Sequence, residues 1–272
     1  GKLVSIHVSG VTGGHSGVEI QKQGANANVV LGRVLYELKK KADFTVVSVD
    51  GGLKDNAITR SARAILMFAP GQEDLFMDIL KEQQGIIEKE YHKTDAGMSI
   101  EGFLELSKED AESVAGVLPM TDVCGNAVIT ALRTFPWGVQ KMSKDMEGLV
   151  QTSLNPGILE TKADTVSLVF SVRSSVASEK EELYDRLVCL TESLGGKVSR
   201  SGDYPAWEYV EDSKLRTLMG DTYREMYKKE PVMEVIHAGV ECGLFSEKMP
   251  GLDCVSYGPD IFDIHTPQER LS

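Results

Sequence analysis

The strongest constraint in this 272-residue sequence is that one order of elements is written twice. Residues 2–9 alternate like a half-buried strand. Helical spacing then runs from about Ala25 to Lys40, with Val29, Val30, Leu31, Val34, Leu35 and Leu38 on the apolar side. Residues 44–50 and 58–69 read as strands around a Gly51-Gly52 turn, and residues 71–91 as a helix. The order then starts again. Residues 98–106 read as a strand, 122–135 as a helix, 149–154 and 165–172 as strands separated by a turn, and 178–194 as a helix opened by a capping box of Ser178 and Glu181. Residues 197–201 can close this second unit as a strand. A unit of strand, helix, strand, strand, helix, repeated over residues 1–204, predicts an α+β fold: a largely antiparallel sheet with helices on one face. Such a duplicated platform suits dimerisation or small-molecule binding, and by itself it names no reaction.

From about Tyr204 the pattern changes. A helix is expected over residues 213–229, a strand over 232–236, a glycine turn entering a short helix over 238–245, and a strand over 252–257. The segment from Ser256 to Arg270 then brings His265 to a strand-to-helix junction. Thr266 suits an N-cap, Pro267 the first helical position and Glu269 the third. This alternation reads as a piece of an α/β sheet over residues 205–272 that needs further strands, expected from sequence before Gly1. The first strand is under way at Lys2 and the last helix has barely begun at Ser272, so both ends read as cut.

Composition narrows the partners. A net charge of −12, well mixed in sequence, argues against a nucleic-acid or anionic-membrane surface, and no apolar run is long enough to span a bilayer. Cys124, Cys189, Cys242 and Cys254 are scattered without a C-x-x-C spacing, which points to a reduced, cytoplasmic protein with no disulfide framework.

Several residues stand where chemistry gathers. His15 lies in the turn Gly10–Gly17, where it either meets a substrate oxygen or is an incidental surface histidine. The turn is neither a nucleophile elbow nor a phosphate loop, because Val18 replaces the needed glycine and no G-K-[ST] ending follows. Arg173 ends the strand carrying Val166, Leu168, Phe170 and Val172 and points to the opposite face. There it is either a solvated strand-end charge or a two-pronged holder of a carboxylate. Glu241, after His237-Ala238-Gly239, begins a short helix and can bind an amine or complement the helix dipole. Asn56 sits in a turn that favours asparagine for its own sake. His265 is either a hydrogen-bonded structural residue or a ligand, and no metal motif is complete. A nucleophilic pair of Cys242 and His265 has nothing nearby to activate the thiol.

The segments TGGHSGVEI (12–20), NVV (28–30), GGLKDNAI (51–58), VFSVRSS (169–175), IHAGVECGLF (236–245), YGP (257–259) and HTPQERLS (265–272) together resemble the aminoacylase/carboxypeptidase-type zinc metallopeptidases. Within them the likeness is greatest to the aminoacyl-histidine (Xaa-His) dipeptidase branch, and it covers essentially the whole chain. The resemblance implies a lid or dimerisation domain at 1–204 and an incomplete C-terminal part of the catalytic α/β domain at 205–272. It implies a homodimer through the lid and two zinc ions in the whole enzyme, held mainly by residues before Gly1, with none held by this chain alone.

The resemblance also implies roles. His265 matches the last zinc ligand. His15 matches a lid histidine that steadies the tetrahedral oxyanion, often in the partner's site. Arg173 matches the lid arginine that grips the substrate carboxylate, and Asn56 a substrate contact. Glu241 and Gly239 match a substrate-facing turn. Thr59 stands where the family usually has proline. The reading from a different class is a dimerising or amino-acid-binding module without catalysis.

Overall fold

In the computed structural model the described residues are 1–233, 241–262 and 269–272. The N-terminal half is a β-α-β-β-α-β arrangement. Strand β1 (Lys2–Ser9) leads through a short strand β2 (Gly14–His15) to helix α1 (Ala27–Lys39). Strands β3 (Phe44–Gly51), β4 (Ala57–Ile58) and β5 (Ala62–Phe68) follow, then helix α2 (Glu73–Tyr91) and strand β6 (Ser99–Phe103). The strands lie in the order β6-β1-β5-β3, all antiparallel. The residue before α1, Asn26, accepts the Asn28 N–H and caps the helix.

Alternation decides which face is which. Val4, Ile6 and Val8 of β1 and Ala64, Leu66 and Phe68 of β5 bury against Val30, Leu31, Val34, Leu35 and Leu38 of α1 and Phe76, Ile79 and Leu80 of α2. A bulge between Val46 and Ser48 turns Val47 to the other face, where it meets Ile65 and Val114. That second face is covered by helix α3 (Lys108–Ser113), not foreseen in the sequence, so the helices are not confined to one side. Asp110 of α3, 1% exposed, accepts from His7 Nε2 at 3.0 Å and Arg63 Nη1 at 3.2 Å, both from the sheet. Burial pushes its carboxyl up, but the charge of His7 and hydrogen bonds outweigh this and hold it below the usual range.

The C-terminal half adds helix α4 (Asp122–Thr134) and strands β7 (Gly138–Met142), β8 (Val150–Thr161) and β9 (Val166–Ser174), then helix α5 (Ala177–Ser193). β8 pairs with both β7 and β9 and joins the first sheet at one ladder position, Gly51 opposite Leu159. Thr161 strengthens this joint: its hydroxyl donates to the Val49 carbonyl at 2.8 Å and accepts the Val49 N–H at 2.9 Å. Gly32 of α1 faces α4 so closely that a Cβ there would lie 2.5 Å from Leu132 Cβ, so the helices touch only because that residue is glycine.

The second element order therefore does not build a second separate unit. The strand at 98–106 was expected to open it, but β6 instead pairs with β1 and closes the first. β8 also runs on through Asn155-Pro156-Gly157, where a turn was expected, because a bulge between Pro156 and Ile158 absorbs the proline within the ladder. The Ser178–Glu181 capping box does not form. Val176 precedes α5 without a side-chain cap, and Glu181 pairs with Arg200 at 2.7 and 2.8 Å. Arg200 and Lys180 both reach Asp203 at 2.7 Å, so residues 197–201 are strapped to α5 as a loop and form no strand.

Beyond residue 204 stand helix α6 (Lys214–Tyr227), capped by Ser213, and helix α7 (Glu241–Lys248). Residues 252–257 are not a strand. Asp253 instead accepts from Ser213 Oγ at 2.6 Å and Leu215 N at 2.8 Å, fixing this segment to the start of α6. A two-residue strand β10 (Ile261–Phe262) pairs with β11 (Arg270–Leu271), so the last residues continue as strand rather than the helix expected after Thr266. The Arg270 guanidinium lies 4.9 Å from the Phe262 ring. Among the described residues no helix is long and apolar enough to cross a membrane.

Candidate functional site

The glycine-rich loop after β1 is tied at both ends. Asp95, 4% exposed, accepts from Thr12 N and Ala25 N, each at 2.8 Å. In between, β2 pairs with β4, placing His15 opposite Ala57, and Ser16 N donates to the Asn56 carbonyl at 2.9 Å. The histidine loop and the asparagine turn are therefore one structure.

Local hydrogen bonds set the His15 ring. Its backbone N–H donates to Glu19 Oε2 at 2.8 Å, and the Gly17 N–H donates to its Nδ1 at 3.0 Å. Because Nδ1 is the acceptor, the neutral ring carries its proton on Nε2. A hydrogen bond from Lys22 and the His15 backbone N–H hold the Glu19 carboxyl below its usual range, so this anchor stays ionised.

Arg173 meets this loop from the other half of the chain. It lies opposite Ser153 in the β8–β9 ladder. A Cβ built on Gly17 would stand 2.9 Å from His15 Cε1 and 3.4 Å from Arg173 Cζ, so both side chains close on one point beside that glycine. The guanidinium is largely buried and its Nε finds no hydrogen-bond partner among the described residues. Burial pushes its pKa down, opposed by the charge of Asp55. A cation in this state lacks a partner that a carboxylate could supply.

A buried polar network behind the site joins the two halves. Asn155, 1% exposed, donates through Nδ2 to the Asp55 carbonyl at 3.1 Å and the Ala57 carbonyl at 2.8 Å. Its Oδ1 accepts from Asn26 Nδ2 at 3.0 Å. The Pro156 carbonyl, exposed to this network by the bulge, faces Asn26, Asn28 and Thr59 side chains at 3.3, 3.1 and 3.1 Å. Thr59, which departs from the proline usual in the resembled family, is buried with its hydroxyl also 3.1 Å from the Gly157 carbonyl. Asn155 and Asn26 were missed in the sequence, and Asn28 and Thr59 were noted only as motif positions. The signal was Asn-Pro-Gly within a run of strand-forming residues, which marks a bulge as readily as a turn.

A groove of about 1110 Å³ opens from this point, with Asp55, Asn56, Arg173, Tyr204 and Trp207 among its walls. The structure thus brings His15, Asn56 and Arg173 together within one chain. Glu241, the first residue of α7, is exposed and stands near Tyr204 rather than among the groove's walls. Gly239, His237 and His265 lie outside the described residues. Among the described residues no three His, Cys, Asp or Glu side chains gather to hold a metal. Burial and the neighbouring Cys254 push the Cys242 thiol up, the reverse of an activated nucleophile.

Comparison with known proteins gives the same family as the motifs. Residues 4–95 match the model of a peptidase dimerisation domain, M20_dimer. The cytosol non-specific dipeptidase of Escherichia coli (strain K12) is 31% identical over 266 residues, covering 98% of this chain and 53% of that protein. The crystal structure of aminoacylhistidine dipeptidase from Vibrio alginolyticus superposes with a TM-score of 0.89 at 30% identity, over 99% of this chain and 54% of that one. The chain spans about half the length of these relatives. Residues 4–95 therefore match a peptidase dimerisation domain, within a stretch similar along nearly all its length to about half of a dipeptidase.

Proposed function

We propose that this chain is the lid, and the C-terminal return into the catalytic domain, of a cytosolic metal-dependent dipeptidase that hydrolyses Xaa-His dipeptides. The supporting observation is the meeting of Arg173 and His15 at Gly17, with Asn56 laced to the same loop. In this reading the unpartnered guanidinium takes the substrate's C-terminal carboxylate in two parallel hydrogen bonds. Requiring a free carboxylate at that spot excludes internal peptide bonds, as a dipeptidase does and an endopeptidase does not. The His15 Nε2–H donates to the oxygen that becomes negative as the peptide carbonyl is attacked. Asn56 supplies a polar contact between them, and Glu241 and Gly239 keep the substrate-facing role that the resemblance implies. Two zinc ions belong to the whole enzyme and would supply the activated water; His265 is this chain's contribution to holding them.

The lid occupies residues 1–204 and the catalytic part 205–272, and the matched dimerisation domain supports a homodimer. The names of the relatives support both a histidine-selective and a broader dipeptide range.

Zinc content and Xaa-His hydrolysis should be measured on this 272-residue chain and on the same chain joined to a catalytic half of the kind its relatives possess. Metal uptake and hydrolysis are expected only in the longer protein. Hydrolysis by the short chain, or none by the longer one, would overturn the assignment.

A further inference from the structure

Asp55 is unaccounted for by the roles above. It is exposed in the turn Gly52–Asn56, and its Oδ1 accepts the Asn56 N–H at 2.8 Å. An aspartate that closes its own turn is common and needs no ligand. Three observations set this one apart.

Its backbone is locked. The Asp55 carbonyl accepts from buried Asn155, and a Cβ on Gly157 would come within 2.4 Å of that carbonyl oxygen and 2.6 Å of Asp55 Cα. The turn is therefore pressed onto β8 at a place only glycine permits. Its location is also fixed relative to Arg173. Ser153 lies opposite Arg173 and Asn155 opposite Ser171, so the residue that holds Asp55 is two positions along β8 from the one that faces Arg173. Finally, Asp55 and Arg173 line the same groove, close enough for the charge of Asp55 to bear on the guanidinium, and Arg173 Nε has no hydrogen-bond partner among the described residues. The groove thus presents a half-buried positive group and an exposed negative group on a rigid turn.

We propose that Asp55 selects, among ligands held by a C-terminal carboxylate on Arg173, those whose terminal side chain carries an N–H donor or a positive charge, such as an imidazole or an ammonium group. This rests on the reading of Arg173 as the carboxylate holder and adds a determinant for the neighbouring side chain. A carboxylate on Arg173 and a cationic side chain on Asp55 satisfy both charges with one residue of substrate. The Asp55 oxygen not engaged with Asn56 is the acceptor for that side chain.

The pair N-acetyl-L-lysine and N-acetyl-L-norleucine tests this, because the two differ only by the terminal ammonium. Calorimetric titration of the chain is expected to show roughly tenfold tighter binding of the lysine compound, the size expected of one charge-assisted hydrogen bond. Asp55→Asn should bring the ratio close to one. A wild-type ratio near one, or a ratio that survives Asp55→Asn, overturns the proposal. N-acetyl-L-norleucine amide isolates the underlying reading. If it binds as well as the acid, Arg173 does not hold a carboxylate, and that failure is separate from a failure of Asp55. Binding of neither acid counts against both.

Discussion

Arg173→Met is expected to abolish binding of N-acetyl amino acids while leaving the protein as stable as before, or more so. The two effects share one cause. The guanidinium is largely buried, its Nε has no partner among the described residues, and burial already pushes its pKa down. An unsatisfied buried donor costs about 1–3 kcal/mol, and methionine fills a similar length with apolar surface. Removing the charge therefore relieves a penalty in the folded state. The same charge is what a ligand carboxylate needs, and two charge-assisted hydrogen bonds lost together lower affinity by about 100-fold or more. Thermal unfolding and calorimetry on the same variant separate the outcomes. A stability loss of about 2 kcal/mol, within the ordinary range for structural residues, would mark Arg173 as structural and sink the assignment.

Asn155→Asp is expected to have the opposite character: a large loss of stability, with the site damaged as a consequence. The substitution preserves shape and keeps the acceptor for Asn26. It removes both N–H donors and sets a carboxylate against the Asp55 and Ala57 carbonyls. Two partly buried acceptors lose their partner and a charge is placed on a side chain that is 1% exposed. The expected cost is about 3 kcal/mol or more. Because those carbonyls belong to the turn that carries Asp55 and Asn56, ligand affinity should fall with stability. Urea denaturation gives the first quantity and titration below the unfolding transition gives the second. Wild-type stability in this variant would mean the network is not what holds the turn.

These two residues also show what was legible in the sequence. The helices α1, α2, α4 and α5 were readable because each has an apolar stripe at helical spacing, a property local to the segment. Pairing was not local. Nothing within residues 98–106 says that β6 returns to β1 rather than opening a new unit. The Asn-Pro-Gly of β8 looked like a turn because its justification, side chains of Asn26, Asn28 and Thr59, lies about 100 or more positions away. The false capping box at Ser178 failed for the same reason: Glu181 had a better partner in Arg200, which no local rule reveals.

The site shows the same division. His15, Asn56 and Arg173 were identifiable from motifs, and the spacing of each motif gave its local setting. Their meeting depends on β8 joining β3 at a single ladder position, which the sequence does not display. Asp55 carried no motif signal of its own and emerges from the locked turn alone.

One chain supplies both His15 and Arg173 to one site, and subunit complementation tests this most directly. His15→Ala and Arg173→Met are prepared separately in the chain joined to a catalytic half, each deficient in Xaa-His hydrolysis, then mixed under conditions that allow exchange. A site built within one chain gains nothing, and the mixture should hydrolyse no faster than the average of its components. A site shared between subunits would regain an intact His15–Arg173 pair in the mixed dimer. Recovery of a substantial fraction of wild-type hydrolysis would contradict a site built within one chain.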